Sequence, residues 1–179
     1  PKGGVFSQIG PSTMFNQNSL TFNSLNSYIL RGDAAQGMEL TFASLMARAD
    51  DEPDAMYGLA ARAVRVSADG LTYRFAMRPQ ARFHDGSPVL ALDVKHSFDQ
   101  LVSPQAAPQF RTMYGEVARV LVLNERSVRF DFKRVNPELP LIVGSMPVFS
   151  SRWGAGKPLD QIVTDTPMAS GPYRIGKVD

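Results

Sequence analysis

The sequence predicts an α+β domain in which β-hairpins pack against one or two helices. Three observations predict it. Segments 64–78 and 117–133 each alternate apolar and polar residues with period two, and a single helical apolar stripe lies between them at 94–102. The composition agrees: 44% hydrophobic and 20% charged residues in 179 supply a real core and exclude a disordered chain.

Residues 3–9 (GGVFSQI) read as a first strand, ended by Gly10-Pro11. The stretch FNQNSLTFNSLNSYILRGDAAQG (15–37) is rich in Asn, Ser and Gly and holds no sustained period. It is expected to be a long irregular segment, and ordered segments of that kind are often functional. A short apolar element follows at Leu40–Met46, then the acidic turn Asp50-Asp51-Glu52-Pro53-Asp54.

In the first hairpin Leu71, Tyr73, Phe75 and Met77 alternate with Thr72, Arg74, Ala76 and Arg78, one face buried and one wet. Its partner strand holds Val64 and Val66, and Ala68-Asp69-Gly70 supplies the turn. In the second, Val128, Phe130 and Phe132 alternate with Arg129, Asp131 and Lys133, paired with Val117–Leu123 across Asn124-Glu125-Arg126. Between the hairpins Val94, Phe98, Leu101 and Val102 form one helical face. Pro88 precedes that helix, Asp93 suits the dipole in its first turn, and Ser103-Pro104 stops it. Residues 138–144 (ELPLIVG) form a short buried helix, and Ser170-Gly171-Pro172 turns into a closing strand, YRIGKV.

The net charge of +2 is small, and no window holds the block of bases that tracks phosphates, so a nucleic-acid partner is not expected. The absence of cysteine excludes disulfides, thiol catalysis and thiolate metal sites. No apolar run reaches the about 18 residues that span a bilayer. The chain opens at Pro1-Lys2 without a signal-peptide pattern, as a processed protein or a piece of one would.

Little in the sequence points to catalysis. His84 and Asp85 are adjacent, so their side chains diverge, and Asp85-Gly86 is a turn pair; His84-Asp85-Gly86 therefore reads as a structural turn. His96 stands at no metal-motif spacing. In Gly154-Ala155-Gly156-Lys157 a proline occupies the Ser/Thr position of a phosphate loop, so a surface turn is expected. Phe22, Tyr28, Met38, Phe110 and Tyr114 are apolar residues expected in loops. Arg111, between Phe110 and Tyr114, suits the grip of a carboxylate or a peptide backbone, or else is a solvent-exposed arginine beside core aromatics.

One stretch carries a resemblance. Tyr73-Arg74-Phe75-Ala76-Met77-Arg78-Pro79, Arg82-Phe83-His84-Asp85-Gly86-Ser87-Pro88, Ala91-Leu92-Asp93-Val94 and Ser97-Phe98 fall in order, with Leu90 and Leu92 where polar residues are usual. Phe22-Asn23-Ser24-Leu25-Asn26, Glu52-Pro53, Tyr57-Gly58-Leu59-Ala60, Glu138-Leu139-Pro140 and Ser170-Gly171-Pro172-Tyr173 continue the pattern. Together they resemble the family 5 extracellular solute-binding proteins of bacterial ABC importers, most closely the microcin C/oligopeptide branch.

The resemblance implies a lobe of a periplasmic binding protein type 2-like (Venus-flytrap) fold, with a mixed sheet and hairpins packed with helices. It implies a first strand and ligand-side loop at 1–38, an inserted small subdomain at 39–160 and a return strand at 161–179. Members are much longer, so this chain is expected to be an N-terminal piece lacking the second lobe and prone to self-association. It implies non-covalent capture of oligopeptides in the periplasm and delivery to an inner-membrane permease, with neither catalysis nor a cofactor nor a resident metal. Loops near Phe110–Tyr114 and Gly144–Val148, with the 22–38 segment, are expected to face ligand. The candidate residues are Phe22, Asn23, Tyr28, Met38, Phe110, Arg111, Tyr114 and Met146. Competing readings are a small α+β interaction domain without a transport role, a hydrolase using His84 and Asp85, and a family member binding nickel or heme.

Overall fold

The computed structural model describes residues 4, 22–49, 51–52 and 55–176. The strand expected at 3–9 lies outside this set except for Gly4, as do Asp50, Pro53 and Asp54 of the acidic turn. In chain order come β1 (Ala43–Ser44), β2 (Met46–Arg48), β3 (Met56–Gly58), β4 (Ala61–Val66) and β5 (Thr72–Met77). Helices α1 (Ala91–Leu101) and α2 (Pro108–Met113) precede β6 (Val117–Asn124) and β7 (Ser127–Phe132). Helix α3 (Leu139–Gly144) and β8 (Pro147–Val148) complete the regular elements, beside 3-10 turns at Met38–Thr41, Trp153–Gly156 and Leu159–Gln161.

Both predicted hairpins form, and they join through β5 and β7 into one antiparallel sheet of order β4-β5-β7-β6. Period-two alternation puts Phe75, Val128, Phe130 and Val120 on the same face, all buried. Helix α1 lies on that face and buries Val94, Phe98 and Leu101, with the Phe98 ring edge-on to Phe130 at 6.1 Å. Each such side chain contributes about 1.5–3 kcal/mol on leaving water.

Two sequence expectations change at the edges. Val64 and Val66 lie in β4 as expected, yet they are 38% and 52% exposed, because β4 is the edge strand and α1 packs over β6 and β7. The second loop is one residue shorter: Asn124 still pairs with Ser127, and its Oδ1 accepts the Arg126 N–H at 3.0 Å.

The apolar stretch at Leu40–Met46 divides between the first 3-10 turn, β1 and the start of β2. Strand β1 pairs with β8, and β2 with β3. Behind β1 lies an aromatic cluster, with Phe149 5.3 Å from Trp153 and 5.7 Å from Tyr28, and Tyr28 5.3 Å from Phe42. The described part of the irregular segment has turns and one isolated bridge, Ser24 to Ala34, in place of regular elements. Buried polar side chains hold it: Asn26 Nδ2 donates to the Ile162 and Leu159 carbonyls at 2.8 and 3.2 Å, and Asn26 Oδ1 accepts the Tyr28 N–H.

The closing strand expected after Ser170-Gly171-Pro172 does not form over 173–176. This backbone meets the 3-10 turn instead, where Gly171 N–H bonds Thr41 O at 2.7 Å and Tyr173 N–H bonds Leu40 O at 3.3 Å. A 3-10 turn offers no continuing ladder. A Cβ on Gly171 would lie 2.5 Å from the Thr41 carbonyl carbon. Gly171→Ala is therefore expected to cost about 1–3 kcal/mol, read as a lowered thermal midpoint. An unchanged midpoint would show that this contact gives way freely.

Candidate ligand groove

Four stretches of chain converge on one open groove of about 820 Å³. The 22–38 segment contributes Ser27 and Tyr28, helix α2 and its cap contribute Phe110, Met113 and Tyr114, the cap of α3 contributes Ser145, and β8 contributes Pro147. Helix α3 adds Leu141 and Ile142, while the stretch from the first 3-10 turn to β2 adds Glu39, Phe42, Ser44 and Arg48. The lining is thus mainly apolar and aromatic, with one acid and one base.

Local chemistry explains these positions. Pro108 opens α2, where its missing N–H costs nothing, and Ala107 N–H bonds the Tyr28 carbonyl at 2.8 Å, tying α2 to the irregular segment. The Tyr28 ring is wedged edge-on against Phe110 at 5.5 Å and Phe42 at 5.3 Å. Burial, then the neighbouring Tyr114 phenol and Glu39, push the Tyr28 phenol well above its ordinary value, against a weaker hydrogen bond from Ser27. Burial alone pushes Tyr114 up. Both phenols stay neutral at physiological pH.

The other sequence candidates lie elsewhere. Phe22, 46% exposed, and Asn23 line a second hollow of about 390 Å³ with Leu25, Thr164, Thr166 and Ile175. Asn23 Oδ1 accepts the Asp33 N–H at 2.7 Å. Met38 and Met146 are core residues, and Met146 presents no surface to any groove. Arg111 is exposed on α2 and does not line the groove.

Sequence reasoning missed Phe42 and Ser44, as well as Glu39, Arg48, Leu141 and Ile142. A signal existed for each of the last two pairs. Glu39 and Arg48 flank an almost wholly apolar run, and α3 is apolar on more sides than Leu139 and Val143, its buried pair, require.

His84-Asp85-Gly86 forms the expected turn. Asp85 Oδ1 accepts the Ser87 N–H and hydroxyl at 2.9 and 2.6 Å, and Gly86 adopts φ +84°. The Ser87 hydroxyl and N–H hold the Asp85 carboxyl below the usual range, burial opposing and Arg152 assisting. His84 Nε2 lies 3.0 Å from the Gly171 carbonyl, so the two side chains form no dyad. The Gly154–Lys157 run is a turn as well, with Lys157 Nζ paired to Asp165 at 2.8 Å. Among the described residues no helix is long and apolar enough to cross a membrane, and no three His, Cys, Asp or Glu side chains converge to hold a metal.

The family model for bacterial extracellular solute-binding proteins, family 5 (middle region) matches residues 55–179. A protein of Agrobacterium fabrum named a probable peptide-binding protein, YejA, is 34% identical over 99% of this chain, which spans 29% of that relative. The chain covers less than a third of the length of the curated relatives it matches. Among solved structures, NikA of Brucella suis in complex with Fe(III)-EDTA superposes with a TM-score of 0.71 at 19% identity, over 87% of this chain and 31% of NikA. DppA of Helicobacter pylori in complex with the peptide STSA superposes at 0.68 with 17% identity, over 85% of this chain and 34% of DppA. These likenesses show the fold to be that of part of a periplasmic binding protein of type 2. That family comprises solute-binding proteins, periplasmic or extracellular, rather than enzymes. With its model matched over most of the chain, the chain belongs to the bacterial extracellular solute-binding proteins of family 5.

Proposed function

We propose that the chain builds one wall of the ligand cleft of a periplasmic receptor for oligopeptides, which hands its ligand to an ABC permease without turnover. The observation that carries the reading is the groove. It is open and apolar, within the size range of about 300–1,000 Å³ typical of small-ligand sites, and floored by Tyr28, Phe110 and Tyr114. Neutral phenols suit a peptide backbone, which needs hydrogen-bond partners without fixed charge. Glu39 and Arg48 add one charge of each sign, suited to a zwitterionic ligand. The peptide-binding name of the Agrobacterium relative and the peptide held by DppA support the same class. On this reading 39–160 is a small subdomain inserted in the first lobe. A second lobe closes over the groove, and ligand favours the closed form because only that form touches it on both sides.

The test is thermal unfolding of the full-length protein carrying this segment, with a mixed oligopeptide library, with Ni(II) alone, and with neither. A peptide-dependent rise in midpoint is expected. Phe110→Ala is expected to weaken peptide affinity about tenfold, as loss of one aromatic anchor does. A rise with Ni(II) only, or peptide binding that Phe110→Ala leaves intact, overturns the reading.

A further inference from the structure

The face of the four-stranded sheet turned away from α1 breaks a rule that sheets ordinarily keep. Arg65 of β4 lies directly opposite Arg74 of β5, which lies directly opposite Arg129 of β7. Like charges in register destabilise a sheet. Among the described residues of that face Asp131 is the one carboxylate, and it is already taken: its Oδ2 accepts Arg119 Nε at 2.6 Å and an Arg129 guanidinium nitrogen at 2.9 Å. Burial opposes ionisation of Asp131, but hydrogen bonds from Arg129, Arg119 and Thr72 outweigh it and hold the carboxyl below its usual range. Arg74 reaches only the Ser127 hydroxyl, at 3.5 Å, and Arg65 has no charge partner among the described residues. Arg129 Nε is buried without an acceptor.

Four arginines thus face one aspartate, a surplus of three positive charges on one sheet face in a chain whose whole net charge is +2. Asp131 answers Arg119 and Arg129, but nothing in the folding of the sheet calls for Arg65 opposite Arg74. A local rule broken without a structural return marks a surface shaped for something else.

The shape of the face narrows the partner. Beside the arginine row runs a parallel row of small side chains, Ala63, Ala76 and Ser127, also in register across the same three strands. The two rows cross the strands side by side, and the Arg74 guanidinium reaches from one to the buried Ser127 hydroxyl of the other. Adjacent strands lie about 4.8 Å apart, so the three arginines are set at intervals of about 5 and 10 Å. An α-helix rises about 1.5 Å per residue, so carboxylates at i, i+3 or i+4, and i+7 stand on one face at nearly those intervals. We infer that this sheet face docks an acidic helix of a partner protein, its carboxylates paired with Arg65, Arg74 and Arg129. Guanidinium forks suit carboxylates bidentately, and steering by the charge surplus would speed the encounter.

The test uses the full-length protein and a synthetic helical peptide with Glu at i, i+3 and i+7, alongside a peptide of scrambled order. Fluorescence anisotropy is expected to show binding of the patterned peptide, weakened by added salt and by at least tenfold in Arg65→Glu/Arg74→Glu. The charge-removing variant Arg65→Ser/Arg74→Ser guards against misfolding: its melting temperature is expected to equal or exceed that of the wild type. Equal affinity for both peptides, or binding that survives charge reversal, overturns the inference. So does a marked fall in melting temperature in the serine variant, which would make the row structural. Vesicles of phosphatidylglycerol provide the last arm. If they bind through Arg65 and Arg74 while the peptide does not, the surface belongs to a membrane and the helix is excluded.

Discussion

Phe149→Ala is expected to lower the unfolding free energy by about 3–5 kcal/mol, the largest effect of any single truncation proposed for this chain. The side chain is 1% exposed and sits at the centre of the aromatic cluster. Its ring meets Trp153 at 5.3 Å, Tyr28 at 5.7 Å, His96 at 6.0 Å and Phe42 at 6.1 Å. Those neighbours belong to separate stretches of chain, so the cavity left by alanine cannot close by a local shift. Its main chain is pinned too: Phe149 N–H donates to the Ser97 hydroxyl at 3.0 Å, and the Phe149 carbonyl lies 3.1 Å from that hydroxyl. Because Tyr28 and Phe42 rest on Phe149 and line the groove, ligand affinity should fall with stability. Denaturant titration measures the first effect and calorimetric titration the second. A loss below about 1 kcal/mol would mean that the cluster repacks, and that the groove does not depend on it.

Asp93→Ala is expected to cost about 2–3 kcal/mol, through three donors left without an acceptor. Asp93 is 6% exposed and serves two elements at once. Its Oδ2 accepts the Leu90 N–H at 2.9 Å at the start of α1, while Oδ1 accepts the Ser151 N–H and hydroxyl at 2.9 and 3.1 Å. The leucine at position 90 has no oxygen to cap with, so the carboxylate three residues on does the capping. Asp93→Asn keeps one acceptor oxygen but turns an amide toward donors, and should lose roughly half as much. Amide hydrogen exchange at 91–94 and at 151, with thermal midpoints, separates the two effects. Equal losses in both variants would assign the stability to charge at the helix N-terminus rather than to acceptor geometry.

The hairpins, α1, α3 and the His84-Asp85-Gly86 turn were legible because each rests on local rules. Period two brings Phe75, Val128 and Phe130 to one face whatever lies beneath, and Asp-Gly turns wherever the chain is free to turn. The groove was legible only by segment. Loops 22–38, 110–114 and 144–148 were expected near ligand, and members of all three line it, yet Met146 went to the core and Arg111 to solvent. Whether a loop residue points inward depends on contacts with distant chain, which no local pattern encodes. The expected closing strand failed for the same reason, since its neighbour at 40–41 is a 3-10 turn and not an edge.

By itself, then, the sequence determined the α+β class, the two hairpins, the covering helix and, through its ordered motifs, the family. Short-range periodicity and turn chemistry suffice for these. Only the tertiary structure decided that the hairpins join through β5 and β7, that Val64 and Val66 stay outside, and that Glu39 and Arg48 share a groove with Tyr28, Phe110 and Tyr114. It alone set Arg65, Arg74 and Arg129 in one row, because strand register is settled by which faces must be buried together, and that requirement spans the whole sheet.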